Sequence, residues 1–234
     1  MLKLNETVIE NVKFNGVDLD KVIVNGIVVF EKSQFNNTVT MRTLQDSIKI
    51  FLQTKDSSSC EVYNDGNKIG VLRDNRMTNI FVPNKNEAVI ITKGENITSL
   101  YCPHNQLTSL NIQGLNNLEG LDCYYNYLIN LNLQGTALQY LHCSNNNLMS
   151  LNIQGLNSLK NFNCFGNRLN AQAFKEIFNN LLQTADGKAI VYYYNNDDNY
   201  KDFTHPPELL EAFNGAKSRG WKFYKDYVSD SNLI

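Results

Sequence analysis

From Ile97 to Asn170 the chain reads ITSLYCPHNQLTSLNIQGLNN (97–117), LEGLDCYYNYLINLNLQGTA (118–137), LQYLHCSNNNLMSLNIQGLNS (138–158) and LKNFNCFGNRLN (159–170). The segments share L-x-x-L-x-C-x-x-N-x-L-x-x-L-x-[IL]-x-G, truncated in the fourth. Cys102, Cys123, Cys143 and Cys164 recur at 21, 20 and 21 residues, and Asn105, Asn126, Asn146 and Asn167 keep the same beat. A period in the twenties signals stacked units, because one such unit has too few residues to bury its apolar rows alone. Leu100, Leu121, Leu141 and Phe162 are expected to form one inward row, the four cysteines the next, and Leu107, Leu128, Leu148 and Leu169 a third. A second short strand in each repeat, Leu110–Asn111–Ile112 and its equivalents, is expected to close the convex side. The asparagine stands where the chain leaves the strand, and its amide can satisfy backbone groups that the turn would strand.

The cysteine row reads as core packing. A free thiol is a small buried hydrophobe, parallel in-register neighbours do not meet the disulfide torsion, and a zinc site needs a tetrahedral cluster instead of a straight row. The fifth cysteine, Cys60, lies outside the beat.

The pattern resembles the leucine-rich repeat family, with cysteine where a third leucine usually stands, and is similar to the repeats of bacterial surface proteins of the internalin type. The resemblance implies an α/β-type solenoid: a leucine-rich repeat array of about four coils over residues 94–170, with an N-terminal antiparallel β-domain and a C-terminal α/β cap. Residues 35–93 alternate as short strands (TVTMRT, SIKIFLQT, CEVYND, KIGVL, TNIFVP, AVIITKG) and read as the small β-domain. Over 171–234, Asn170 reads as a helix N-cap, and Phe174, Ile177, Phe178, Leu181 and Leu182 share one helical face. A strand AIVYYY follows from Ala189, then a loop NNDDNYKDFT, a second helix opened by Pro206 and a last strand WKFY after Gly220. Residues 1–34 read as a β-hairpin module, with turns at Asn15–Gly16 and Asn25–Gly26 between β-rich runs. The run VKFNGVDLDKVIVNGIVVFEK resembles a small module of phage tail-associated proteins. A generic β-meander is the alternative.

Strand alternation places the candidate ligand face. With Leu121 and Cys123 inward, Gly120, Asp122 and Tyr124 point out, and the same register exposes Ser99, Tyr101, Pro103, Tyr140, His142, Ser144, Asn161, Asn163 and Phe165. Tyr101, Asp122, Tyr124, Tyr140, His142 and Phe165 are the expected ligand-binding residues of a concave face, since aromatic side chains dominate binding hot spots. Cross-strand stacking of the rings on one another is the alternative. Either Tyr193 or its neighbours Tyr192 and Tyr194 should extend that face.

Little in the chain speaks for chemistry. Asp122 and His142 share a column, but two residues are a weak motif and a structural pair is expected. No phosphate loop, nucleophile elbow, H-E-x-x-H or paired-cysteine motif occurs. The expectation is therefore no enzyme, no catalytic residue, no metal and no cofactor. A net charge of −2 spread along the chain lacks the basic face that a nucleic-acid partner requires. No stretch approaches a membrane span, and MLKLNETVIENVKF lacks the apolar core of a secretory signal, so a cytoplasmic or virion-associated protein is expected ahead of a cell-surface one. The functional expectation is a recognition or adhesion protein that binds a protein or glycan, phage- or prophage-associated on the strength of the N-terminal resemblance. The alternative is an intracellular protein–protein scaffold.

Overall fold

Asn-Gly pairs between short valine-rich runs give way near residue 37 to longer strands, and the computed structural model divides there into Met1–Asn36 and Asn37–Ile234. The structure describes residues 2–4, 7–9, 12–14, 17–19, 21–24, 27–31, 38–193, 197–225 and 233–234. The turn pairs Asn15–Gly16 and Asn25–Gly26, Tyr194, and the loop residues Asn195 and Asn196 lie outside them. In the first unit β1 (Leu2–Leu4) pairs with β2 (Thr7–Ile9), β3 (Val12–Phe14) with β4 (Val17–Leu19), and β5 (Lys21–Val24) with β6 (Ile27–Glu31), each antiparallel.

The second unit opens with β7 (Val39–Thr43), β8 (Ser47–Thr54), β9 (Cys60–Asn64), β10 (Asn67–Leu72), β11 (Thr78–Phe81) and β12 (Val89–Ile91). The repeats supply β13 (Ile97–Tyr101), β14 (Leu107–Asn111), β15 (Gly120–Asp122), β16 (Tyr140–His142) and β17 (Asn161–Asn163). Then come α1 (Ala171–Asn180), β18 (Gly187–Tyr192), α2 (Pro207–Ser218) and β19 (Trp221–Lys225). One sheet has the order β10-β9-β12-β7-β14, and the other β11-β8-β13-β15-β16-β17-β18-β19. From β13 to β19 the second sheet is parallel, in a register that stacks Leu100, Leu121, Leu141, Phe162 and Ala189 in one column. β8 pairs antiparallel with β13, and β14 antiparallel with β7, so residues 37–93 continue both sheets.

The expected α/β-type solenoid is thereby corrected. Among the described residues of this unit there are thirteen strands in two sheets and only two α-helices. A pitch of 20–21 residues leaves no room for a helix between strands, and the return leg is made of turns. β18 and β19 are the last strands of the same sheet, so α1 and α2 pack on that sheet and close no array. The expected second strand in each repeat forms only in the first, as β14; its equivalents are linked by a single bridge, Asn111 to Asn132. Each return leg turns instead at a Gln-Gly pair: Asn111, Asn132 and Asn152 accept the amides of Gln113, Gln134 and Gln154 through Oδ1, and Gly114, Gly135 and Gly155 take φ of 78°, 75° and 86°.

All three expected inward rows are fully buried. The cysteines are free thiols, and burial pushes their pKa up, that of Cys143 to about 12. The asparagines bind one repeat to the next. Asn126 accepts from the amides of Asn105 and Leu107 and donates to the carbonyls of Cys102 and Cys123, all at 2.9–3.1 Å. Asn146 and Asn167 repeat the two donated bonds one step along and each accepts one amide, that of Leu128 and of Leu148. Asn105 meets the amide and carbonyl of Lys49, which ties β8 to the first repeat. Asn199, 32 residues after Asn167 and off the beat, takes the last place: it accepts from Leu169 and donates to the carbonyls of Cys164 and Val191.

In the C-terminal segment, Asn170 Oδ1 caps α1 by accepting from Ala173 at 2.9 Å. Phe174, Ile177, Phe178 and Leu181 are buried, but the helix ends at Asn180 and Leu182 turns to solvent. Pro206 is the residue before α2, whose first residue is Pro207. Phe174, Phe178, Phe203, Phe213 and Phe223 form one cluster with centroids 5.0–5.6 Å apart. Among the described residues no helix is long and apolar enough to cross a membrane.

Candidate functional site

The face of the parallel strands opposite the core carries a continuous ribbon of rings. Tyr125 stacks on His104 at 4.7 Å, with 11° between the planes. His104 meets the edge of Tyr124 at 5.1 Å, and Tyr124 stacks on His142 at 4.6 Å and 14°. His142 then meets Phe165 at 6.1 Å, and Phe165 meets Tyr193 at 5.6 Å. The parallel register is what lines them up: Tyr124 and Phe165 each lie two residues past a strand end, while His142 closes β16.

The structure brings five of the six expected residues into or against this ribbon. Tyr124, His142 and Phe165 are members, and Asp122 and Tyr140 touch His142. Tyr101 stands aside, its ring edge on Phe51 of β8 at 5.2 Å. Gly120 leaves room for it: a Cβ there would lie 3.8 Å from the Tyr101 hydroxyl and 3.2 Å from Ser99 Oγ. Tyr192 turns toward Phe203, so Tyr193 is the one that joins the face.

Two ribbon members are not expected from alternation. His104 and Tyr125 occupy the position before the repeat asparagine, where the backbone is left-handed, with φ of 54° and 51°. Alternation ends at such a residue, so its side chain follows the turn and not the strand. The fourth repeat has Gly166 at this position, and the third Asn145, the residue types that tolerate the conformation best. Two aromatic rings there are a costly choice in backbone terms.

His142 is fixed on both nitrogens. Nδ1 lies 3.5 Å from Asp122 Oδ2 and 3.3 Å from the Tyr140 hydroxyl, and Nε2 lies 2.7 Å from Ser144 Oγ. The carboxylate favours the proton on Nδ1, which leaves Nε2 to accept from the serine. Gly120, Asp122 and Ser144, all expected to point outward, are buried. Hydroxyl, imidazole and carboxylate thus stand in the order of an acyl-transfer triad, an arrangement that alternation alone did not reveal. A buried hydroxyl offers no path for a substrate carbonyl, however, and the rings of Tyr124 and Phe165 flank the imidazole. The arrangement holds the ring as one step of the ribbon. Burial, with the Asp122 charge adding to it, raises the Tyr140 pKa, so the phenol stays protonated beside the carboxylate. Among the described residues no three His, Cys, Asp or Glu side chains are grouped to hold a metal ion.

Comparison with protein-family models, with curated proteins and with solved structures gave no match to this chain.

Proposed function

We propose that this protein is a non-enzymatic recognition protein, which binds a protein or glycan ligand along the aromatic ribbon from Tyr125 to Tyr193. The observation that carries the reading is the ribbon's continuity: six rings, each in contact with the next, lie on a face that the core does not use. Rings already stacked and hydrogen-bonded lose little side-chain entropy on binding, so contact with them is converted efficiently into affinity. The leucine-rich-repeat pattern and the tail-module likeness of residues 12–32 support a virion-borne version, displayed in several copies with avidity making up for a small site. Nucleic acid and membrane insertion are not part of the proposal.

The test is binding of the purified protein to intact bacterial cells, beside a Tyr124→Ala/Phe165→Ala variant with the same melting temperature. Binding is expected to be lost in the variant. Equal binding by both proteins refutes the ribbon as the site. Co-purification with virions after prophage induction tests the display.

A further inference from the structure

At the Tyr125 end of the ribbon lies a hollow of about 280 Å³ whose lining holds no carboxylate, lysine or arginine. Tyr125 and Tyr127 give it aromatic walls, 54% and 47% exposed, and Gln45, Gln106 and Asn145 give it amides. Asn126 lies beneath, but its own amide is consumed by the repeat backbone. The side-chain polar atoms of Gln106, Asn145, Tyr125 and Tyr127 make no hydrogen bond among the described residues and are free to meet a ligand. A larger hollow between α1 and α2, of about 460 Å³, differs in kind. It holds the charges of Lys175, Glu208, Glu211 and Arg219 and no aromatic ring.

The backbone singles out the same place. Among the described residues eight non-glycine residues are left-handed, and four of them, His104, Gln106, Tyr125 and Asn145, line this hollow. Such residues cost on the order of 1 kcal/mol each and gather at ligand clamps. The stacked His104 and Tyr125 rings make its flat wall.

We infer that this hollow binds one unit of an uncharged carbohydrate chain, whose neighbouring units continue along the ribbon. Flat rings beside amides match a pyranose: its C–H face is apolar and packs on an aromatic plane, while its hydroxyls both donate and accept, as an amide group does. With no carboxylate, lysine or arginine in the lining, a sugar acid or a strongly charged peptide finds no fixed charge to pair with, and a buried charge needs a partner. The volume lies at the small end of ligand sites and suits a single sugar unit. This inference rests on the recognition reading and names the ligand class for it.

The test uses the full chain and intact bacterial cells in three states: untreated, oxidised with periodate to cleave vicinal diols, and digested with protease. It also uses Tyr125→Gly and Asn145→Gly, substitutions that suit the left-handed backbone and so preserve the fold. Wild type is expected to bind untreated and protease-treated cells and to lose periodate-treated ones. Both variants are expected to bind at least about tenfold more weakly. Binding that survives periodate and falls with protease overturns the carbohydrate assignment and leaves the recognition reading standing. Periodate-sensitive binding that both variants retain places the sugar elsewhere and overturns the hollow. No binding to untreated cells overturns both readings.

Discussion

Replacing Asn126 with alanine isolates what holds the repeats together. The side chain is buried and serves two repeats at once: it satisfies the amides of Asn105 and Leu107 and the carbonyl of Cys102, and shares the carbonyl of Cys123 with Asn146. After Asn126→Ala the Cys123 carbonyl keeps Asn146, while the other three groups lose this partner where water does not reach. At about 1 kcal/mol or somewhat more for each, the loss is about 3–5 kcal/mol. That is a large part of the 5–15 kcal/mol by which a domain is ordinarily stable. Asn152→Ala is the matched control. Its Oδ1 also caps a backbone amide, that of Gln154 at 2.9 Å, but it is exposed and water takes over, so the loss should stay below about 1 kcal/mol. Urea unfolding followed by tryptophan fluorescence reads both, because the single tryptophan, Trp221, lies buried in the same unit. With a slope of about 2 kcal/mol/M, the Asn126→Ala midpoint should fall by about 1.5–2.5 M and that of Asn152→Ala by less than about 0.5 M. Equal midpoints for the two variants would overturn this account, since the number and the burial of the stranded groups are the differences it invokes.

Asn199→Ala should lose about 2–3 kcal/mol by the same accounting, as the Leu169 amide and the Val191 carbonyl lose their partner while the Cys164 carbonyl keeps Asn167; a loss under about 1 kcal/mol removes Asn199 from the ladder. Gly135→Ala should destabilise by about 1 kcal/mol more than Gly155→Ala in thermal melts: both positions are left-handed, but a Cβ at Gly135 would meet Gly114 Cα at 3.0 Å whereas Gly155 faces open space. All five cysteines are buried, so an aromatic disulfide reagent should titrate less than one thiol in the native protein and five after denaturation. Burial raises the folded thiol pKa above the ordinary 9.0, so above pH 9 the folded chain holds more protons than the unfolded one, and stability should fall as pH rises from about 9 to about 12. A urea midpoint equal at pH 8 and pH 10 would contradict it. A fluorophosphonate probe should leave Ser144 unlabelled in the native protein; labelling that needs His142 would overturn the non-enzymatic reading.

The repeat beat made the interior legible. Leucine, cysteine and asparagine recur at fixed offsets, and a side chain placed once per turn of a stack must meet its own equivalents, whatever the surrounding architecture. Alternation likewise pointed to Tyr124, His142 and Phe165, because each lies in or just past a strand whose inward residues were already assigned. It failed at His104 and Tyr125, since a left-handed residue ends the alternation, and at Gly120, Asp122 and Ser144, which follow the outward parity but are buried by their neighbours. Asn199 was hidden for a different reason: it repeats a role without repeating a motif, reaching its place through a strand and loop of unrelated sequence.

Which residues are buried in the repeats and which asparagines lock them could be read from the chain alone. These follow from period and polarity, which are local properties of the chain. The fold class came instead from the pairing of distant segments, which is written in no single one of them. β8 joins β13 antiparallel and β14 joins β7, and this makes two β-sheets out of segments whose sequence reads as an antiparallel domain feeding an α/β-type repeat solenoid. Pairing also assembled the ribbon: the six rings lie between residues 104 and 193, and the register of parallel strands brings them within stacking distance.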